Sequence, residues 1–361
     1  MADAVAVTRE ALPDKAALET EWLGLEALRP GVVFLSWAWV GTWLATLPTD
    51  MTPLLLRARV GDETVGLAIG IERVARRGAT LPTRGLYLQA TGDDTIDTIF
   101  VEYNGFLCAE RDEPAIMAAL LGWFQTQAPD IDALHLPGIV APLTTKGLLD
   151  EVQAEPGFAV DLIAVAAAGG DVASLLGGSS RQQVRRVLRA YEQQGPLCAV
   201  EAASTDEALR FFHAMKAMHV ASWQRRRRDH AFSDDHFERF HVALIKREFA
   251  TGVVQLVEIA AGDQPIGYLY NFRRDGMIYA YQSGFDDRDR KLSPGVASHA
   301  MAIRLNAEQG ARRYDFLAGA NRLKQNFATE RYTLYWQVLR RPRLDHRLIA
   351  AARRVKRRLF P

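Results

Sequence analysis

The chain has almost no cysteine: two in 361 residues, Cys108 and Cys198, ninety positions apart. Two distant thiols make neither a disulfide framework nor a zinc pattern, and the expected compartment is a reducing cytoplasm. Long apolar runs are also missing. No stretch approaches the ~18 residues that a membrane span needs, and the first ten residues hold no apolar segment of the signal-peptide kind. Net charge is nearly absent, with 44 Lys and Arg against 43 Asp and Glu. No pattern of stacking aromatics accompanies the basic residues, so nucleic acid is not the expected partner.

What is present is length and hydrophobic patterning enough for two domains of ordinary size. The small net charge hides an uneven distribution. From Arg340 to Pro361 there are nine basic residues and one acidic, Asp345. The rest of the chain is acidic. The tail, 343–361, reads as an amphipathic helix with Leu344, Leu348, Ala352, Val355 and Leu359 on one face and arginines around the rest. Docking on the body and lying on an anionic membrane surface are both open to such a helix.

Spacing predicts two α/β halves, with domains at 1–160 and 161–342. In the first, helices are expected over Ala16–Leu28 and, after the N-cap Ser36, over Trp37–Leu47. Trp37, Trp39 and Trp43 form a stripe that belongs to core or interface. Strands Leu54–Val60 and Val65–Arg73 flank a Gly61-Asp62 turn. In the second half Asp161–Val165 reads as a linking strand and Ala166–Gly170 as a hinge. Helices follow at Ser179–Gln194, capped by Ser179 or Ser180, and Thr205–Ser222, capped by Thr205. Three strands come next, Val253–Ala260, Pro265–Phe272 and Met277–Gly284, with glycine in each turn. A helix from Val296 stops at Gly310, and a strand covers Arg313–Leu317. The hairpin Leu54–Arg73 resembles Val253–Phe272, which points to two similar halves.

The order of the second half, with Tyr281-Gln282-Ser283-Gly284-Phe285, Leu292-Ser293-Pro294-Gly295, Gly310 and Tyr314-Asp315-Phe316-Leu317-Ala318-Gly319 followed by Lys324, resembles the GNAT acetyltransferase superfamily. Within it the resemblance is to the cellulose-biosynthesis type, related to the Fem aminoacyltransferases. It is good over Ser174–Leu339 and loose in the first half. The resemblance implies an α/β (α+β) fold of tandem GNAT-like domains, each with a mixed, mostly antiparallel sheet flanked by helices, the first domain being degenerate. It implies acyl transfer from acetyl-CoA or another acyl-CoA, without a metal, to a small-molecule or glycan acceptor of envelope or exopolysaccharide metabolism. Fem-like transfer from aminoacyl-tRNA and a non-catalytic binding module are the alternatives.

The chemistry suggests where each part belongs. A pyrophosphate wants backbone N–H groups at a helix N-terminus. Ser293, Pro294, Gly295, Val296 and Ala297 are placed for this, with Arg290 and Lys291 adding positive charge. Leu292 stands where the superfamily has a basic residue or glutamine. The resemblance implies that Gln282 lies on the strand that pairs with the thioester arm and that Lys324 reaches a phosphate or an anionic acceptor. Candidates for proton removal or orientation are Glu258, His219, Tyr281 and Asp315. Asp315, a carboxylate centred in an apolar strand, is either a site residue or a structural anchor. Trp223 and Arg225, the latter opening a run of four arginines, are candidates for the acceptor side.

Overall fold

Apolar residues two apart along strands and three or four apart along helices organise the chain, and the termini of those elements are set by local hydrogen bonds. The structure, a computed structural model, describes residues 4–75, 82–225, 231–286, 288 and 292–343. In chain order the elements are β1 (Ala6–Ala11), α1 (Lys15–Glu26), α2 (Trp37–Thr46), β2 (Pro53–Val60), β3 (Glu63–Ala75), β4 (Thr83–Leu88), β5 (Leu107–Cys108), α3 (Glu113–Thr126) and β6 (Ala133–Ile139). There follow β7 (Leu149–Asp161), α4 (Leu162–Ala167), α5 (Gly178–Glu192), β8 (Leu197–Glu201), α6 (Thr205–Arg225), α7 (Asp235–Glu248), β9 (Val254–Ala261), β10 (Gln264–Arg274) and β11 (Met277–Phe285). The last are α8 (Pro294–Glu308), β12 (Arg313–Ala318), α9 (Arg322–Phe327) and β13 (Glu330–Arg340). The chain divides into two units: one runs to Glu155 and resumes at Leu334, the other is Pro156–Thr333.

Each unit repeats one plan. In the first, β1, α1, α2, β2, β3 and β4 are followed by α3 and β6. In the second, β8, α6, α7, β9, β10 and β11 are followed by α8 and β12. Pairings repeat as well. The first sheet runs β1-β2-β3-β4-β6-β13, antiparallel except for the parallel pair β4/β6. The second runs β8-β9-β10-β11-β12-β7, antiparallel except for β11/β12. The fold is therefore mixed α/β, built twice.

In the first unit one face of the sheet packs Leu56, Ala68, Leu86 and Leu134 against Ile116, Leu120 and Phe124 of α3. The three tryptophans of α2 are buried. Ser36 caps that helix through Trp39 N–H, a contact worth about 1 kcal/mol. In the second unit Val257, Ile259, Leu269, Ile278 and Tyr314 pack against Val296, Ala300 and Ile303 of α8 and Val184 and Val187 of α5. The other face carries Tyr268, Tyr270 and Tyr281, which meet rings of Phe211 and Phe212 on α6 and Phe237 on α7, and Phe272, which packs between Tyr270 and Tyr281.

Three local expectations are corrected. Residues after Asp161 form a helix, not a strand, because the Asp161 carboxylate accepts from Ile163 N–H and Ala164 N–H and so caps α4. Thr205 lies inside α6. Its start is held by Ser204, whose hydroxyl accepts from Glu207 N–H while Glu207 accepts from Ala203 N–H. Helix α5 begins at Gly178 with Gly177 at its cap position and no side-chain cap, so Ser179 and Ser180 are helical. The tail helix expected over 343–361 lies, beyond Arg343, outside the described residues.

Candidate active site

The second unit opens where its two parallel strands part. β11 and β12 pair only through Met277/Arg313, Ile278/Tyr314 and Tyr279/Asp315, yet both strands continue. The cause lies on each prong. On β11 the register with β10 slips at Tyr281, which has no partner between Gln282/Tyr270 and Ala280/Asn271. A bulge bends and twists its strand, and this one comes two residues after the last pair. On β12 the register with β7 slips between Asp315 and Ala318, and Leu317 takes a left-handed conformation with φ 63°. A leucine at positive φ is strained, and its neighbours hold it there. Asp315, fully buried, accepts from Leu317 N–H (2.8 Å) and from the Tyr332 hydroxyl (2.5 Å). Lys324 donates to the carbonyls of Leu317 (3.2 Å) and Ala318 (2.7 Å).

Helix α8 starts at the mouth of this fork. A Cβ on Gly295 would sit 3.1 Å from the Phe285 ring and 3.2 Å from Leu323 of α9. The end of β11, the first turn of α8 and α9 therefore meet there. Pro294, Gly295, Val296 and Ala297 are all buried, and no side chain caps the helix. Ser293 sits before them in the left-handed region, φ 54°. Leu292 packs on the core, Pro294 has no N–H, and Val296 N–H donates to Ser293 O at 2.9 Å, which leaves the other N–H groups of this turn to meet an anion. Ser298, in the next turn, is fully buried, and its hydroxyl has no partner among the described residues. Arg290 and Lys291 lie outside the described residues.

Helix α6 covers the other side of β11. It approaches so closely that a Cβ on Gly284 would lie 2.1 Å from the Met215 carbonyl oxygen. From this helix His219, buried, reaches the Ser283 carbonyl with Nδ1 at 2.9 Å. A carbonyl only accepts, so Nδ1 carries the hydrogen and Nε2 is the basic nitrogen. Ser283 N–H donates to the Gln282 side chain (3.0 Å). Both backbone groups of Ser283 are thus met by side chains. Trp223 stacks on His219 with ring centroids 5.5 Å apart. Arg225, exposed, ends α6. The Asp286 carboxyl after β11 is held below its ordinary range, first by its hydrogen bond to Arg288 and also by the charge of Arg225. The remaining arginines of that run lie outside the described residues.

The fork therefore gathers Gln282, His219, Trp223 and residues 293–297. Other candidates lie apart. Glu258 on β9 faces Tyr268 across the β9/β10 pair and accepts from its hydroxyl (2.6 Å). Burial and that bond push the phenol up, keeping it protonated. Tyr281 is buried among Phe237, His241 and Phe272. Asp315 and Lys324 are engaged in the bend of β12. Sequence reasoning overlooked Tyr268, and also His241, whose buried ring pairs with the Tyr270 hydroxyl (3.1 Å) and is held well below its ordinary pKa by burial.

The first unit has the same fork, closed by its own chain. β4 and β6 part after Tyr87/His135. Asn104 enters the gap and bridges Ile139 in parallel fashion. Its side-chain amide donates to Leu88 O and Pro137 O, one on each prong, both at 2.9 Å.

Comparison with known proteins agrees with this geometry. Residues 178–325 match the sequence family described as Acetyltransferase (GNAT) domain. No curated protein sequence matches. Among solved structures, the crystal structure of FemX superposes with a TM-score of 0.52 at 10% identity, covering 91% of this chain and 96% of that one. The C-terminal domain of a putative lysylphosphatidylglycerol synthetase from Agrobacterium fabrum gives 0.54 at 10% identity, covering 94% and 96%. A conserved protein of unknown function from Bacteroides thetaiotaomicron gives 0.52 at 9%, covering 92% and 99%. At such identities the likeness is one of fold. The forked second unit is thus similar to GNAT acetyltransferase domains, and acyl transfer in general is the chemistry that this match supports.

Proposed function

We propose that the second unit transfers an acyl group from acyl-CoA, most simply acetyl-CoA, to an amine or hydroxyl acceptor. The observation that carries this reading is the fork between β11 and β12 with the buried, uncapped start of α8 at its mouth. Two features fit an acyl-CoA: the cradle at Gly295 that a side chain would fill, and the orphaned Ser298 hydroxyl. Within residues 293–297 the N–H groups other than that of Val296 would hold the pyrophosphate, and the amide-bearing arm would lie along β11 beside Ser283. When bound there, acyl-CoA supplies an activated carbonyl and a thiolate leaving group.

The chain's own part is to orient the acceptor and take its proton. His219 is the base in this reading, because its ring touches the fork edge and its Nδ1 bond leaves Nε2 as the proton acceptor. Trp223 and Arg225 lie on the acceptor side. Asp315 and Lys324 position rather than react, since their polar atoms hold the bend of β12. Glu258 with Tyr268 is the second candidate for proton transfer. The resemblance to the cellulose-biosynthesis type supports a glycan acceptor of the envelope or of an exopolysaccharide. The two distant cysteines favour a cytoplasmic protein, and the basic amphipathic tail favours contact with anionic membrane. Among the described residues no helix is long and apolar enough to cross a membrane.

The test is calorimetric titration of the full chain with acetyl-CoA, repeated on Gly295→Trp. Saturable binding that the substitution weakens at least tenfold is expected. No binding at millimolar acetyl-CoA sinks the reading and favours aminoacyl-tRNA as donor or a non-catalytic module.

A further inference from the structure

The closed fork of the first unit is only partly filled. Asn104 occupies its inner end, and beyond it a cavity of about 230 Å³ remains. This is small beside the roughly 300–1,000 Å³ of drug-sized pockets, and suits one sugar ring or one amino-acid side chain. Its floor is the Tyr87 ring stacked on His135 at 4.0 Å and 16°. Gly92 keeps that stack open: it has φ 70°, and a Cβ there would lie 2.4 Å from the tyrosine ring. Phe100 and Trp336 add aromatic wall.

Among the described residues no lysine or arginine lines the cavity. The Gln89 amide nitrogen donates to Asn104, and that of Gln337 donates to Leu143 O and Asp150. Two carboxylates do line it, Asp94 and Asp97. Asp97 accepts from Thr91 and Gly92 and so shapes the rim. Asp94 is exposed at the mouth. Neighbouring Asp93 is neutralised by Arg73 at 3.0 Å. Aromatic faces and a carboxylate attract positive charge.

We propose that this pocket binds a compact primary ammonium, of the amino-sugar or amino-acid side-chain kind, as a site separate from the acyl-transfer fork. The proposal does not depend on the transfer reaction, and its test uses no thioester. Glucosamine and glucose, which share a body and differ in the ammonium group, are titrated calorimetrically into the full chain. Glucosamine is expected to bind at least tenfold more tightly than glucose. Trp336→Ala and Asp94→Lys should each weaken glucosamine at least fivefold, while Gly295→Trp leaves it within twofold. Asp94 is exposed, so its variant keeps the fold and decides the matter if Trp336→Ala does not fold. Three results overturn the proposal: no saturable binding below about 10 mM, glucose binding as tightly as glucosamine, or glucosamine binding unchanged in Asp94→Lys.

Discussion

His219 joins two roles in one ring. Its Nδ1 secures the Ser283 carbonyl at the edge of the fork, and that bond fixes which nitrogen is basic. A general base of this kind contributes about 10²–10⁴-fold to rate. Replacing His219 with Gln keeps a donor near the carbonyl and removes the base. We expect kcat with a suitable acceptor to fall at least about 10²-fold. Acetyl-CoA affinity should hold within about threefold, and the acid limb of the pH–rate profile should disappear. If kcat falls less than tenfold with that limb intact, His219 is a structural ring and Glu258 becomes the base to test. His219, Trp223 and Gly295 were legible in the sequence because helix spacing and the Pro-Gly start fix their places. Tyr268 was not. A regular hairpin around Gly262 would set Gly267 against Glu258, but a bulge at Ile266 moves the register by one and brings Tyr268 there instead.

At the scale of an element, the fork is a consequence of two irregular strands rather than of any one side chain. The bulge at Tyr281 turns β11, and the left-handed Leu317 turns β12. Alternation of residue types shows the strands in the sequence but not these interruptions, since tyrosine and leucine announce neither a bulge nor a positive φ. The same blindness put a strand where Asp161 caps a helix: Ile163 and Val165 favour strands, and the capping carboxylate outweighs them. The role of Asp315 was visible only as a buried carboxylate in need of partners. The Tyr332 hydroxyl is one such partner, and a hydrogen bond to a charged, buried group contributes about 1.5–3 kcal/mol. Tyr332→Phe should therefore lower unfolding free energy by about 2 kcal/mol in urea. It should also loosen the bend that sets α9 against Gly295, and so weaken acetyl-CoA binding. A loss below about 0.5 kcal/mol would show that the bend of β12 is held without this bond.

For the molecule as a whole, the paired plan and the GNAT-like order of the second unit could be read from the recurrence of a hairpin and the Tyr-Asp-Phe strand. The closing of the first fork by Asn104 could not, because it depends on a long loop finding both prongs. One property of the whole fold follows from residues buried against sheets, and it is its dependence on pH. His299 is enclosed beside Tyr314, and burial first, then the charge of Lys324, lowers its pKa to about 3. His241 is likewise held well below its ordinary value by burial and by His236. Unfolded, each returns to about 6.5. Below that value the unfolded chain binds protons that the folded one refuses, so stability is full above pH 6.5 and is lost as pH falls towards the folded values. His299 removes about 2 kcal/mol between pH 7 and pH 5, and His241 acts in the same sense. Carboxyls held low, such as Asp93, Asp130 and Asp286, act only beneath about pH 4. Asp97, raised by burial, works in the opposite sense. The informative measurement is therefore the difference between parent and His299→Gln in urea unfolding at pH 7 and pH 5. The variant should lose about 2 kcal/mol less than the parent over that interval. Equal losses would mean that His299 accepts its proton in the folded state, and that its enclosure beside Tyr314 does not exclude charge.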